Sequence, residues 1–323
     1  MASQIKKSDL PVLYGDVPAF MASSIIKDAS GLQGQDAVVL GIPYDGVATF
    51  RGGATRRASQ EIRKFSLLYG GYNLDLGFDI FDYLRVADFG DVDVVPGDTP
   101  ESYRRAEKKV GAVLEAGAVP LVIGGDHGIS IPVCTAVAKR SAEPFGVVVF
   151  DTHLDLDEAL NDDRLTRASP LKRIIELNGV KPERVAVIGA RGPRNVPEWA
   201  PLAHELNITY FTMNDIERMG IEQVAQKAFA IATDGGKGAP PYISIDIDSI
   251  DPAYAPATNS PEPGGLTSRE IINALRIVAH NGFVGFDLVE VVPEYDSAAG
   301  ITSVLAARLL AEALGALASA KKR

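Results

Sequence analysis

The chain has 323 residues, 46% of them hydrophobic and 23% charged, and its formal net charge is −10. This composition excludes a disordered chain, the acidic balance argues against nucleic-acid binding, and the single cysteine excludes a disulfide framework. We recognise neither a signal peptide nor an apolar run of about 18 residues, so we expect a cytoplasmic protein that does not span a membrane.

Short apolar, β-branched runs alternate with longer helical patterns along the chain. The predicted strands are Ala37–Ile42, Leu84–Asp88, Val119–Ile123, Gly146–Phe150, Val185–Ile188, Ile208–Phe211, Tyr242–Ile247 and Phe283–Val289. The predicted helices are Arg56–Leu68, Glu101–Ala116, Ile129–Arg140, Ala168–Leu177, Ile221–Thr233, Ser268–Ala279 and Ser303–Ala318. The strands are apolar on both faces, which predicts an α/β sandwich with a parallel sheet between two layers of helices. We expect a single domain over residues 1–323, with an N-terminal extension at 1–30 and a C-terminal helix and tail at 303–323.

Acidic residues and histidines follow three of these strands, where ligands bind in such sheets. The three segments are LVIGGDHG at residues 121–128, VVVFDTHLDLD at 147–157 and YISIDIDSIDP at 242–252. Residues at i, i+2 and i+4 of an extended segment share one face. Asp151, His153 and Asp155 are therefore expected to converge on one point and Asp246 and Asp248 on another, and His127 completes a set of six candidate metal ligands.

These six residues predict a site for two divalent ions. A single Asp after a strand is usually a helix N-cap, and a lone buried His is usually a hydrogen-bonded core residue. Three such strand ends are hard to explain in that way, because clustered carboxylates repel one another unless a cation lies between them. Oxygen ligands with imidazole suit Mn²⁺, and the ligand types leave Ni²⁺, Fe, Co and Zn open. A pair of ions would generate a nucleophile from water.

The same segments resemble blocks of the ureohydrolase family, which comprises arginases, agmatinases and their amidinohydrolase relatives. GGDHG resembles the family's GGDHS block, FDTHLDLD its DAHxD block, SIDIDSIDPAYAP its SxDxDxxDPxxAP block, and GFDLVEVVP its GxDxVEVxP segment. A weaker similarity covers GIPYDGVATFRGGATRRASQEIR at residues 41–63. The resemblance implies an eight-stranded parallel sheet, a dinuclear site with Mn²⁺, and hydrolysis of a guanidino compound to urea and an amine.

The resemblance also implies residue roles. One ion would be held by His127, Asp151, Asp155 and Asp246, and the other by His153, Asp151, Asp246 and Asp248. Glu290 matches the family glutamate that accepts hydrogen bonds from the substrate guanidinium, unless it is merely an ion-paired acid. The resemblance further implies a homo-oligomer, a trimer or a hexamer.

One position departs from the family pattern. Where most members carry a histidine credited with proton transfer, this chain has Arg167, which stays protonated and cannot move a proton. One possible consequence is that metal-bound solvent and Asp155 protonate the leaving amine, and that Arg167 contacts the substrate instead. Repulsion of a cationic substrate tail is another, and weak activity as one subunit of a hetero-oligomer is the third.

The loop at 157–164 is expected to line the pocket, so Asn161 and Arg164 are candidate substrate-binding residues, unless the loop is simply solvated. Asp155 and Glu290 are the predicted catalytic residues. The predicted function is hydrolysis of a guanidino compound; the alternatives are an N-alkylated guanidine or biguanide as substrate, a weakly active subunit, and more distantly a phosphoesterase. Away from the site, Arg56, Arg57 and Arg63 are predicted to form a solvated helix face or a subunit contact.

Overall fold

The computed structural model describes residues 18–46 and 51–323. Part of the predicted N-terminal extension, residues 1–17, and part of the weaker family-like segment, residues 47–50, lie outside the described residues. The strands are β1 (Ser24–Ile25), β2 (Ala37–Gly41), β3 (Tyr72–Asn73), β4 (Phe78–Asp79), β5 (Val86–Asp91), β6 (Val119–Ile123), β7 (Phe145–Phe150), β8 (Val180–Ala190), β9 (Thr209–Thr212), β10 (Tyr242–Asp246) and β11 (Gly285–Val289). The α-helices are α1 (Ala58–Ser66), α2 (Thr99–Glu115), α3 (Ser130–Arg140), α4 (Pro170–Ile174), α5 (Trp199–Glu205), α6 (Met213–Met219), α7 (Ile221–Ala232), α8 (Ser268–Val278) and α9 (Ile301–Lys322).

A parallel sheet forms the centre of the molecule, in the order β1-β5-β2-β6-β11-β10-β7-β8-β9. All eight predicted strands belong to it, and the α/β fold class is confirmed. The sheet has nine strands rather than eight, because β1 adds a two-residue edge strand. Both residues of β1 are exposed, so no apolar alternation marked it in the sequence.

Each face of the sheet is covered by its own core. Along β7 the side chains alternate, with Val148 and Phe150 in one hydrophobic cluster and Val147 and Val149 in the other. Helices α1, α6, α7, α8 and α9 contribute to the first cluster, and α2, α3, α4 and α5 to the second. The architecture is therefore a three-layer αβα sandwich.

Helix α9, which includes the predicted helix Ser303–Ala318, is strongly apolar. Among the described residues, α9 is the one helix that is long and apolar enough to cross a membrane, judged by length and composition alone. However, 78% of its most apolar stretch is buried inside the fold. The apolar run is interrupted by Arg308 and by Glu312, whose carboxylate accepts hydrogen bonds from Arg276 and Arg308. Helix α9 thus packs as a core helix against α1 and α8.

The prediction for Arg63 is wrong. Its side chain is only 3% exposed, and its guanidinium binds Asp88 of β5 at 2.8 Å and also contacts Asp91. The charged groups that hold it come from β5, about 25 residues away along the chain. Arg63 therefore ties helix α1 to the sheet.

Candidate active site

Four neighbouring strands at the centre of the sheet, β6, β11, β10 and β7, carry the predicted site residues at their carboxyl ends. The turn after β6 can approach β2 closely because residue 125 is glycine. A Cβ atom there would overlap the backbone carbonyl of Tyr44, whose oxygen accepts a hydrogen bond from the N–H of Asp126 at 3.0 Å. This close packing places His127 in a buried turn that begins helix α3.

The first cluster consists of His127, Asp151 and Asp155, whose ligand atoms all lie within 4.8 Å of one another. The Nδ1 atom of His127 is 3.0 Å from Asp151 Oδ2 and 3.1 Å from Asp155 Oδ2. Asp246 Oδ2 lies 3.3 Å from the same nitrogen. Three of the four residues predicted to hold one ion thus form a cluster, and the fourth, Asp246, contacts the same nitrogen of His127.

The second cluster consists of Asp151, His153 and Asp248. The Nδ1 atom of His153 is 3.4 Å from Asp151 Oδ1 and 3.2 Å from Asp248 Oδ2. Two tight turns orient these groups: the His153 N–H donates to Asp151 Oδ1, and the Asp248 N–H donates to Asp246 Oδ1. Asp151 belongs to both clusters, as expected of a bridging carboxylate.

The donor set fits metal ions. No side chain of the two clusters is more than 12% exposed, and His127 Nδ1 and Asp151 Oδ2 are buried without a hydrogen-bond partner among the described residues. Burial and the charge of Asp151 raise the pKa of Asp155 to about 6, and burial with Asp248 raises the pKa of Asp246. Divalent cations would offset this repulsion, and carboxylate oxygens with imidazole nitrogens suit Mn²⁺.

Two residues that were not predicted from the sequence, Ser244 and Asp287, form a hydrogen-bonded chain to the other ring nitrogen of His127. Its Nε2 atom is 3.3 Å from Ser244 Oγ, which donates to Asp287 Oδ1 at 2.6 Å. Tyr242 also donates to Asp287, which is fully buried in β11. An aspartate and a serine inside otherwise apolar strands were the available signal, because buried polar residues need partners.

Glu290 follows β11 with a left-handed backbone, φ 64°, and Asp155 is also left-handed at φ 47°. Such conformations are unfavourable for residues other than glycine and gather at functional sites. Glu290 Oε1 accepts a hydrogen bond from the N–H of His127 at 2.9 Å. Burial raises the pKa of Glu290 to about 7, although the guanidinium of Arg167 opposes the rise.

Arg167 lies beside Glu290 and is only 8% exposed. Its Nη1 donates to Glu290 Oε2 at 3.0 Å and Oε1 at 3.2 Å. Its Nη2 donates to Asp45 Oδ1 at 2.9 Å and to the carbonyl of Gly46 at 3.2 Å, and lies 3.5 Å from Asp126 Oδ2. Asp45 did not figure among the predicted residues, since its contact with Arg167 spans 122 residues of sequence.

A cavity of about 250 Å³ opens above both clusters. It is lined by His153, Asp155, Asp157, Leu160, Arg167, Ala168, Arg194, Val196, Trp199, Asp246, Asp248, Ser260 and Glu290. One wall is apolar and was not predicted: Leu160 and Val196 are 36% and 39% exposed, and the Trp199 indole is held by Asp157. The cavity lining therefore combines apolar side chains with carboxylates.

The structure does not bring Asn161 and Arg164 to this cavity. The loop reverses at Asn161, which is left-handed at φ 49°, and Leu160 and Asp163 exchange backbone hydrogen bonds across the turn. This turn places Leu160 on the cavity wall, whereas Arg164 is exposed and pairs with Glu158 at 2.8 Å. The expectation that both residues line the pocket is therefore corrected.

Comparisons with known proteins agree with this geometry. The family model described as "Arginase family" matches residues 35–315. The chain belongs to the arginase family. It is 36% identical over 301 residues to proclavaminate amidinohydrolase of Streptomyces clavuligerus, covering 93% of both chains. It is 34% identical over 311 residues to guanidinopropionase of Pseudomonas aeruginosa, covering 96% of this chain and 94% of that one.

A solved structure of the S. clavuligerus proclavaminate amidino hydrolase superimposes with a TM-score of 0.85 at 34% identity, covering 96% of this chain and 100% of that chain. The predicted family is confirmed. As a member of the arginase family, the chain is an amidinohydrolase, an enzyme that hydrolyses C–N bonds of guanidino compounds. The family uses a dinuclear metal site, and the two His/Asp clusters fit one.

Proposed function

We propose that this arginase-family protein hydrolyses a guanidino compound to urea and an amine with two divalent metal ions, Mn²⁺ foremost and Ni²⁺ second. The observation that carries the proposal is that ligands from both His/Asp clusters and Glu290 line one cavity. His127 and Asp155 would serve one ion, His153 and Asp248 the other, and Asp151 and Asp246 both. When bound, the ions would supply a nucleophile from water near neutral pH.

Glu290 would orient the substrate. Its carboxylate lines the cavity and is held by the N–H of His127, so it can present oxygens to the N–H groups of a guanidinium. Asp155 would transfer a proton to the leaving amine, because its carboxylate lines the cavity that a substrate would occupy. Arg167 cannot do so, since its guanidinium stays protonated.

A second candidate substrate class has its own support. Leu160, Val196 and Trp199 give the cavity an apolar wall that fits the alkyl group of an N-alkylated guanidine or biguanide. Relatives named guanidinopropionase and guanidino acid hydrolase instead support a guanidino acid, whose carboxylate would approach Arg194.

The testing experiment measures urea release after metal stripping and reloading with Mn²⁺ or Ni²⁺. The panel contains agmatine, arginine, guanidinopropionate, guanidinobutyrate, free guanidine, N-alkylguanidines and a biguanide. Metal-dependent urea from one compound would support the proposal. Two bound ions with no urea from any compound would contradict it, and activity restored by an active relative would identify a weakly active subunit of a hetero-oligomer.

The proposal also covers the location and the assembly of the protein. We propose a cytoplasmic, single-domain protein that binds neither nucleic acid nor membranes and assembles as a trimer or hexamer. Exposed apolar side chains at Leu68, Tyr72 and Leu74, which are 67%, 61% and 81% exposed, support assembly. Light scattering of the purified protein measures the subunit number, and a monomer would contradict this part.

A further inference from the structure

Arg167 places a guanidinium group on the carboxylate that the proposed function assigns to the guanidinium of the substrate. Its Nη1 contacts both oxygens of Glu290, at 3.0 and 3.2 Å. The pair is buried, since the side chains of Arg167 and Glu290 are 8% and 6% exposed. The chain thus supplies a ligand of the same chemical type as its proposed substrate.

Glu290 has little capacity left for a second guanidinium. Its Oε1 already accepts from the N–H of His127 as well as from Arg167. A substrate cation bound to the same carboxylate would also lie against the positive charge of Arg167, and like charges at contact distance oppose binding.

The two terminal nitrogens of the Arg167 guanidinium have different partners, so Nη1 can leave Glu290 without breaking the contacts of Nη2. Its Nη2 is held separately by Asp45 Oδ1 at 2.9 Å and by the carbonyl of Gly46 at 3.2 Å. The carboxylate of Asp126 is nearby, 3.5 Å from Nη2, and its Oδ1 has no hydrogen-bond partner among the described residues. Movement away from Glu290 would therefore leave Arg167 paired with carboxylates.

We propose that Arg167 is an internal occupant of the guanidinium subsite on Glu290, and that a guanidino substrate binds by displacing its Nη1 while Nη2 stays with Asp45. This inference rests on the role of Glu290 in the proposed function. Arg167 then sets specificity, because only a group that replaces its hydrogen bonds to Glu290 can compete with it.

The test is calorimetric titration with guanidinium chloride at millimolar concentration, on metal-free and on Mn²⁺-loaded protein. Arg167→Ala is expected to bind guanidinium about tenfold more tightly than the unmodified chain, because an adjacent like charge is removed. Arg164→Ala is the matched control: it removes one positive charge from the same loop, where Arg164 pairs with Glu158 and Glu176, and should leave affinity unchanged. Arg167→Gln serves if the alanine variant does not fold.

Two outcomes would overturn the inference. One is unchanged or weaker guanidinium binding in both Arg167 variants, which would mean that Arg167 does not compete. The other is a gain that persists when Glu290→Gln is added to Arg167→Ala, which would place the bound ion elsewhere. Urea release is assayed separately, so tighter binding without turnover of any compound would contradict the proposed reaction while leaving the competition established.

Discussion

Asp151 Oδ2 lies 3.0 Å from Nδ1 of His127, yet neither atom has a hydrogen-bond partner among the described residues. Both atoms are buried, so the lost hydration of each is not replaced within the protein. A cation between them would satisfy both. Because Asp151 Oδ1 also faces His153, at 3.4 Å from Nδ1, this one carboxylate joins the two clusters.

Asp151→Asn is therefore expected to remove both ions. Elemental analysis should count two Mn²⁺ per unmodified chain and fewer than one per variant. The unmodified protein should also gain about 2.7 kcal/mol of stability for each bound ion at a free metal concentration of roughly 100 times its Kd, a gain that the variant lacks. The matched control is Asp157→Asn, which changes an aspartate of the same cavity that instead accepts a hydrogen bond from Trp199. Full metal content in Asp151→Asn would contradict the assignment.

Gly125→Ala is expected to destabilise the fold by about 3 kcal/mol, because a Cβ overlaps the Tyr44 carbonyl and the backbone must move. The shift would also displace Asp126 and His127, so metal affinity should fall in the same variant. Urea unfolding and a metal titration measure the two effects. Gly70→Ala is the control, since a Cβ at Gly70 meets no atom within 4 Å. Equal stability of the two variants would show that the turn after β6 is not tightly packed.

The two His/Asp clusters were largely predictable because their residues follow strands directly. A strand pattern and the spacing of Asp151, His153 and Asp155 are local properties, and parallel strands bring their carboxyl ends to one edge. The family resemblance then implied which residues would hold each ion. The order of strands that makes β6, β11, β10 and β7 neighbours comes from tertiary packing, which the local pattern does not contain.

The interactions of Arg63, Arg164 and Arg167 were not predictable from local sequence. Arg63 meets Asp88, Arg167 meets Glu290 and Asp45, and each pairing joins distant parts of the chain. A charged residue on a helix or loop is usually solvated, so only the fold shows when it is buried and paired. The prediction for Arg164 failed for another reason: the turn at Asn161 reverses the direction of the loop, so Arg164 lies outside the cavity lining.

The apolar wall of the cavity should determine the response to alkyl substituents. Leu160→Asn and Val196→Asn are expected to raise KM for N-butylguanidine about fivefold, since each removes apolar area from contact with the alkyl chain. KM for free guanidine should not change, because that substrate has no alkyl group. Steady-state urea release with both compounds measures the difference. Ile301→Asn, at a side chain that is 47% exposed and outside the cavity lining, is the control. Equal changes for both compounds would count against an alkyl-binding wall.

Glu312 links helices α8 and α9 through a carboxylate that is fully buried. Arg276 Nε donates to its Oε2 at 2.7 Å and Arg308 Nε to its Oε1 at 2.8 Å. Burial would raise the pKa of Glu312, but the hydrogen bonds and charges of the two arginines outweigh burial and lower it. Glu312→Gln should therefore reduce the free energy of unfolding at pH 7 by about 2 kcal/mol.

The stability lost in Glu312→Gln should be largest near neutral pH and should shrink in acid. A pKa that is lower in the folded state gives stability above the unfolded value, about 4.3 for Glu, and this stability disappears as the pH falls through the folded value. Urea unfolding of both proteins from pH 7 to pH 3 should show the difference shrinking in acid. Glu61→Gln, which removes an exposed pair with Lys64, is expected to change little. A difference that stays constant with pH would mean that the loss is not electrostatic.

The position of β11 has a consequence for the order of folding during synthesis. Strand β11 pairs with β6 on one side and β10 on the other, yet it is the last strand of the described chain to be made. Until residues 285–289 leave the ribosome, the pairings of the final sheet can form only within two separate halves, β1-β5-β2-β6 and β10-β7-β8-β9, each with an open central edge. Such edges invite pairing with other chains. A nascent chain arrested before β11 should therefore need chaperone protection that the full chain no longer requires.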